Sequence, residues 1–277
     1  MKRIFFLLFP LIMFSQSKIL DDNLFVKIPE GDYRVGRKGY INNPSRRVTV
    51  DAFYISKYEI TNKQFEKFVE ATKYKTDAEK LKNAMVFEPG LKEFRWIQDS
   101  TAYWRYPNGV SRGGIEGKMN HPVTTISYKD ALAYCNWAGV RLPTFNEWEI
   151  ASRAGSETEY FWGEDSGELI NYANVWHGQD HLTADTSDGY VTTSPVGSFE
   201  PNPWDIYDIY GNVFELTEGK LPKEKRKYAH ARGGSWWCSS KSCNFFNSVD
   251  IGRVNTRASF SNLGFRVCKD AEEEEEL

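Results

Sequence analysis

Between Arg47 and Ile55 the chain alternates polar and apolar residues, the period of a half-buried strand. Val26 to Val35 alternates more weakly around Pro29-Glu30-Gly31, which predicts a strand pair joined by a turn. Three short helices follow from apolar spacing and end signals. Thr61 caps the first, with Phe65, Phe68 and Val69 on its apolar face. Ser127 caps the second, with Asp130 in its first turn and Gly139 just past its end. Thr144 and Glu147 form a capping box for the third, which runs to about Arg153. Beyond Gly155 regular signals fade for about 110 residues of mixed Gly, Asp, Asn, Trp and Tyr. A compact domain tolerates so long an irregular stretch when something pins it, metal ions among the candidates.

The basic and acidic residues balance at 35 and 38. That leaves no positive field for a phosphate backbone and argues against nucleic acid as partner. Lys2 and Arg3 precede an apolar run from Ile4 to Phe14, and Ser15-Gln16-Ser17 follows. The run is too short to span a bilayer and has the order of a secretory signal. The predicted organisation is a signal peptide over 1–17, one continuous globular unit over 18–269, and an acidic, solvated tail over 270–277. Such a protein is periplasmic or secreted, in a compartment that permits disulfides.

Four cysteines allow three pairings into two disulfides. Cys135 lies in the second predicted helix, and Cys268 ends an apolar run. Cys238 and Cys243 stand close together in Gly233-Gly234-Ser235-Trp236-Trp237-Cys238-Ser239-Ser240-Lys241-Ser242-Cys243. Two near thiolates suit Cu(I), a redox disulfide or zinc, and a plain structural disulfide is the bland alternative. Zinc asks for four ligands, and His177 and His181 lie in a Gly- and Asp-rich stretch that does not read as a helix.

Several stretches together resemble the formylglycine-generating enzyme, or sulfatase-modifying factor, family. They are Arg46 to Tyr54, Tyr58-Glu59-Ile60-Thr61-Asn62, His121-Pro122-Val123, Ala133 to Gly139, and Arg141-Leu142-Pro143-Thr144 with Glu147-Trp148-Glu149. Further on come Tyr172 to Trp176, Tyr210 to Glu215, Arg232-Gly233-Gly234-Ser235 and Asn262-Leu263-Gly264-Phe265-Arg266. Most of these are shared across a broad superfamily and speak for the fold. The cysteine pair placed directly after Arg-Gly-Gly-Ser is the feature shared with the active enzymes.

The resemblance implies an α+β fold with little regular secondary structure, of the C-type-lectin-like superfamily, in one calcium-stabilised domain. It implies copper held by Cys238 and Cys243, with Ser235 and Asn212 beside it as active-site hydrogen-bonding groups. Two structural Ca2+ ions would be held by Asn174, the Val175 carbonyl, Asp188 and the Tyr190 carbonyl, and by Asp208, the Gly211 and Val213 carbonyls and Glu215. Oxygen donors of this kind suit calcium. A Cys135–Cys268 disulfide is implied too, and a second family bridge falls on Ser152 and Ser248, both serine here.

The implied activity is oxidation by dioxygen of a cysteine in a Cys-x-Pro-x-Arg segment of an unfolded sulfatase, giving formylglycine through a thioaldehyde. The expected protein is a monomer without a membrane anchor once its signal is removed. Trp236, Trp237, Trp104 and Tyr106 are candidates for a peptide groove. Phe214 stands where the family usually has Trp, and Asn244 to Asp250 where it carries arginines. A non-catalytic envelope scaffold of the same fold is the competing reading. An iron oxygenase is a third, and it needs a His-rich site from a chain with only four His.

Overall fold

The computed structural model describes residues 19–92, 95–178, 180–218, 227–239, 243 and 245–271. The predicted signal peptide and most of the acidic tail lie outside them. Helices α1 (Asn62–Thr72), α3 (Tyr128–Ala138) and α4 (Phe145–Arg153) start at Thr61, Ser127 and Thr144, each with a reciprocal capping box. The short α2 (Asp77–Leu81) has one as well, built by Thr76 and Glu79. Each box satisfies two backbone N–H groups that a helix start leaves unpaired. Left-handed residues Lys73, Lys82, Gly139 and Ala154 stop the four helices. A single turn, α5 (Leu169–Tyr172), follows.

Helices α1 and α3 pack through aromatic rings, Phe65 stacking on Tyr134, Phe68 meeting Tyr134 edge-on and Trp137 at a tilt. Trp104, Leu142 and Phe265 complete this core. Full burial of such a side chain stabilises the fold by roughly 2–3 kcal/mol.

The strands are β1 (Phe25–Ile28), β2 (Gly31–Val35), β3 (Arg46–Val50), β4 (Phe53–Ser56), β5 (Ala84–Val86), β6 (Ile97–Asp99), β7 (Phe214–Thr217), β8 (Tyr228–Arg232), β9 (Gly252–Asn255), β10 (Leu263–Gly264) and β11 (Cys268–Asp270). The predicted pair around Gly31 is two strands of different sheets: β1 pairs with β4, and β2 with β3. The single strand predicted over 47–55 breaks at Asp51-Ala52 into β3 and β4, which pair with different partners, β3 with β2 and β4 with β1 and β11. Past Gly155 the chain is more regular than its pattern suggests. It builds a four-stranded sheet in the order β10-β7-β8-β9, with β10 parallel to β7. The predicted tail boundary also moves: Asp270 ends β11 and pairs with Arg141 at 2.7 Å.

Cys135 and Cys268 are buried as separate thiols, which corrects the expected bridge. Each is sealed in apolar packing, where a thiol behaves as a small hydrophobe. Burial pushes Cys135 up to about 12 and Cys268 well above the ordinary thiol range, so neither ionises readily.

Ser152 and Ser248 do meet. Their hydroxyls lie 2.8 Å apart, and Tyr210 Oη stands 2.5 Å from the Ser248 hydroxyl. The double substitution Ser152→Cys/Ser248→Cys is expected to oxidise to a bridge and gain roughly 2–4 kcal/mol. Thermal melts with and without a reductant check this, and no difference between them would contradict it.

Candidate active site

Strand β8 ends at Arg232, and the chain then turns through Gly233 and Gly234 at φ +84° and +73°. A Cβ at Gly233 would stand 2.8 Å from the Ile209 carbonyl, and one at Gly234 2.8 Å from the Phe246 nitrogen. Only glycine meets both demands, which is the physical content of the Arg-Gly-Gly-Ser stretch. Arg232 anchors it from below. Fully buried, it donates to Glu149 at 3.0 Å and lies over the Trp148 ring. Glu149 also accepts from Gly36 N, Asn43 and Arg153. Burial would raise this carboxyl, but Arg232 and Arg153, with Asn43 and Gly36, outweigh it and hold Glu149 below the usual range.

After the glycines, Trp236 N donates to the Asn212 carbonyl (3.0 Å), Cys238 N to the Ser235 carbonyl (2.8 Å), and Trp176 N to the Cys238 carbonyl (2.8 Å). These bonds hold Cys238 fully buried. Cys243, in a left-handed conformation, is half-buried. The two are joined as a disulfide with Cα atoms 4.8 Å apart. Of the two sulfur-bearing residues, Cys243 is the more exposed. Phe245, two residues on, lines a cleft of about 600 Å³ with Arg46, Phe145, His230 and Arg253.

Ser235 Oγ lies 3.8 Å from Cys238 Sγ, in the place expected of it. Asn212 does not. Its amide donates to Glu59 (3.1 Å) and accepts from Ser194 N (3.0 Å) and Asn174 (3.2 Å), which commits it to the scaffold. The expected groove aromatics Trp104, Trp236 and Trp237 are all buried. Trp237 packs against Trp176, Phe87 and His181, and His181 Nε2 donates to its carbonyl at 2.8 Å. Tyr106 is half-buried against Tyr103. His181 is engaged there and His177 faces Asp188, so the two do not form a zinc pair.

The residues expected around calcium are all buried or half-buried. Asn174 bridges Gly211, and Asn212 N donates to the Asn174 carbonyl. Asp188 uses one carboxylate oxygen for Tyr190 N, while its buried Oδ2 makes no hydrogen bond and faces His177 Nε2 at 3.6 Å. Asp208 accepts from Gly197 N, and its Oδ1 likewise makes no hydrogen bond. A residue absent from the expected set, Glu59, joins Asp208 and Glu215: it is buried, and its Oε2 has no partner.

Burial, together with the charges of Asp208 and Glu215, raises Glu59 well above the usual carboxylate range. Burial likewise lifts Asp208 to about 7. Against these three carboxylates stands one buried cation, Arg266, which grips Glu215 through Nε (2.6 Å) and Nη2 (2.7 Å). Among the described residues no three His, Cys, Asp or Glu side chains alone make a metal cage. Glu215 has both oxygens engaged by Arg266 and Trp148, so the buried oxygens that make no hydrogen bond, one each on Glu59, Asp188 and Asp208, are the ones whose chemistry suits a hard cation.

Among known proteins, the family model described as a sulfatase-modifying factor enzyme 1-like domain matches residues 13–271. The mouse formylglycine-generating enzyme is 38% identical over 82% of this chain and 68% of its own length. A bovine protein named inactive C-alpha-formylglycine-generating enzyme 2 is 36% identical over 89% of this chain and 88% of its own. The solved structure of PvdO from Pseudomonas aeruginosa shares the fold, with a TM-score of 0.66 at 23% identity, covering 89% of this chain and 94% of that one.

Proposed function

The chain belongs to the sulfatase-modifying factor enzyme family, and on that premise we propose that it converts a cysteine of another polypeptide, of the sulfatase type, into formylglycine. The observation that carries this reading is the joined pair Cys238–Cys243 with Ser235 beside it. The half-buried Cys243 leaves the pair open to a reductant on one side, which favours the enzyme over the inactive relative's role.

Reduction frees two soft sulfur ligands that already reach one point, a donor set that fits Cu(I). Bound there, Cu(I) would supply the dioxygen chemistry that side chains lack. The chain's own residues do the rest. Buried Cys238 is shielded from water, half-buried Cys243 marks the side from which a substrate thiol approaches, and the Ser235 hydroxyl faces the Cys238 sulfur. Calcium at the buried oxygens of Asp188, Asp208 and Glu59 that make no hydrogen bond would hold the surrounding coil. The N-terminal apolar run directs the chain to the periplasm or outside the cell in this reading. Among the described residues no helix is long and apolar enough to cross a membrane.

The test is turnover of a Cys-x-Pro-x-Arg peptide with the reduced, Cu(I)-loaded protein in air. The expected product has gained one oxygen atom and lost the elements of hydrogen sulfide by mass, and Cys238→Ser or Cys243→Ser abolishes it. Product that survives either substitution would refute the assigned site.

A further inference from the structure

We propose that Asn262 is a positioning residue that turns the Ser235 hydroxyl proton onto the Cys238 sulfur. Two N–H groups point at Ser235 Oγ: Asn262 Nδ2 at 2.9 Å and the Trp237 backbone N–H at 3.3 Å. A hydroxyl has two acceptor lone pairs and one proton. With both lone pairs facing donors, the proton is what remains for the third neighbour, Cys238 Sγ at 3.8 Å, and sulfur can accept it. Ser235 is fully buried, so bulk water does not compete for that proton.

The fold fixes all three groups. Asn262 directly precedes β10, which runs parallel to β7, and its carbonyl accepts from Phe214 N at 2.9 Å. The bond from Cys238 N to the Ser235 carbonyl closes the turn that brings the sulfur back to the hydroxyl. A sulfur released by reduction is a better acceptor for this proton than one held in a disulfide, so the bond from Ser235 strengthens on reduction. Asn262, acting through Ser235, therefore favours the reduced pair over the disulfide. That is a property of the chain alone; its service to copper rests on the function proposed above.

The experiment is the dithiol–disulfide equilibrium of Cys238–Cys243 against glutathione at fixed pH, without metal. Ser235→Ala is expected to shift it toward the disulfide by roughly fivefold, the scale of one buried hydrogen bond. Asn262→Leu frees the hydroxyl without removing it and is expected to shift the equilibrium in the same direction by less. The double variant is expected to match Ser235→Ala alone, because Asn262 has no effect except through the hydroxyl.

An unshifted Ser235→Ala protein overturns the proposal. So does an Asn262→Leu effect that persists undiminished in the Ser235→Ala background, since that marks a merely structural role. If Asn262→Leu does not fold, Asn262→Ala makes the same comparison. Cu(I) retention by the reduced wild-type protein separates the two claims. Shifts as expected with no copper retained keep Asn262 in its role and remove the copper reading.

Discussion

Arg266→Met is expected to cost about 3–5 kcal/mol, the scale for removing one partner of a buried ion pair. Arg266 is fully buried and uses its whole fork. Beyond the two bonds to Glu215, Nη1 donates to the Ser56 and Lys57 carbonyls (3.1 and 3.0 Å), and Nη2 to the Tyr207 carbonyl (2.8 Å). Methionine fills much of the volume but takes a donor from three carbonyls, leaves Glu215 with the Trp148 indole N–H as its remaining donor, and removes the positive charge among Glu59, Asp208 and Glu215. For a domain of this size the melting temperature should fall by on the order of 10 °C. Adding Glu215→Gln should recover part of the loss, because it removes the stranded charge. A melting temperature within a degree or two of wild type would show that the arginine is not what balances the acids.

Chelation of calcium is expected to make stability fall steeply with rising pH, while calcium-loaded protein stays level. The sign follows from Asp208. Burial raises its folded pKa to about 7, far above the usual carboxylate value, so without a cation the fold prefers the protonated acid. That preference stabilises the protein fully below about pH 4 and is lost as pH rises through about 7. Glu59, raised by burial and by Asp208, acts in the same direction. A bound cation removes the penalty by pairing with the ionised acids, and binding to the folded form adds stability by mass action. Denaturant titrations at pH 5 and pH 8, with chelator and with calcium, measure the effect. Identical pH dependence in the two would exclude calcium from these oxygens.

What could be read from the sequence was what is settled locally. The Thr61, Ser127 and Thr144 caps act within four residues of themselves, and each starts a helix where its spacing predicts. Strand pairing is non-local: nothing near Gly31 says that β1 turns to β4 while β2 turns to β3. The sheet past Gly155 escaped notice because its strands are short and its edges are set by partners far along the chain.

The site divides in the same way. The spacing of Cys238 and Cys243 after a glycine pair is visible in the sequence, while the place of Ser235 beside them follows only from the family resemblance. Asn212 was misplaced because its backbone carbonyl, not its side chain, serves the cysteine turn. Trp236 and Trp237 were read as groove residues because composition does not reveal which face of a turn is buried. Glu59 was missed because its acid partners lie about 150 residues away, as its bond from Asn212 across 153 positions shows. The available signal was an acid between Tyr58 and Ile60, just ahead of a helix cap, where burial leaves a carboxylate in need of a counter-charge.

The central claim is that Cys238 and Cys243, once reduced, hold a single cuprous ion. Titration of the reduced protein with Cu(I) against a chromophoric Cu(I) chelator tests it most directly. One equivalent retained per chain, and none by Cys238→Ser, Cys243→Ser or the disulfide form, is the result expected. Retention that ignores these substitutions, or no retention by the reduced wild-type chain, would contradict it.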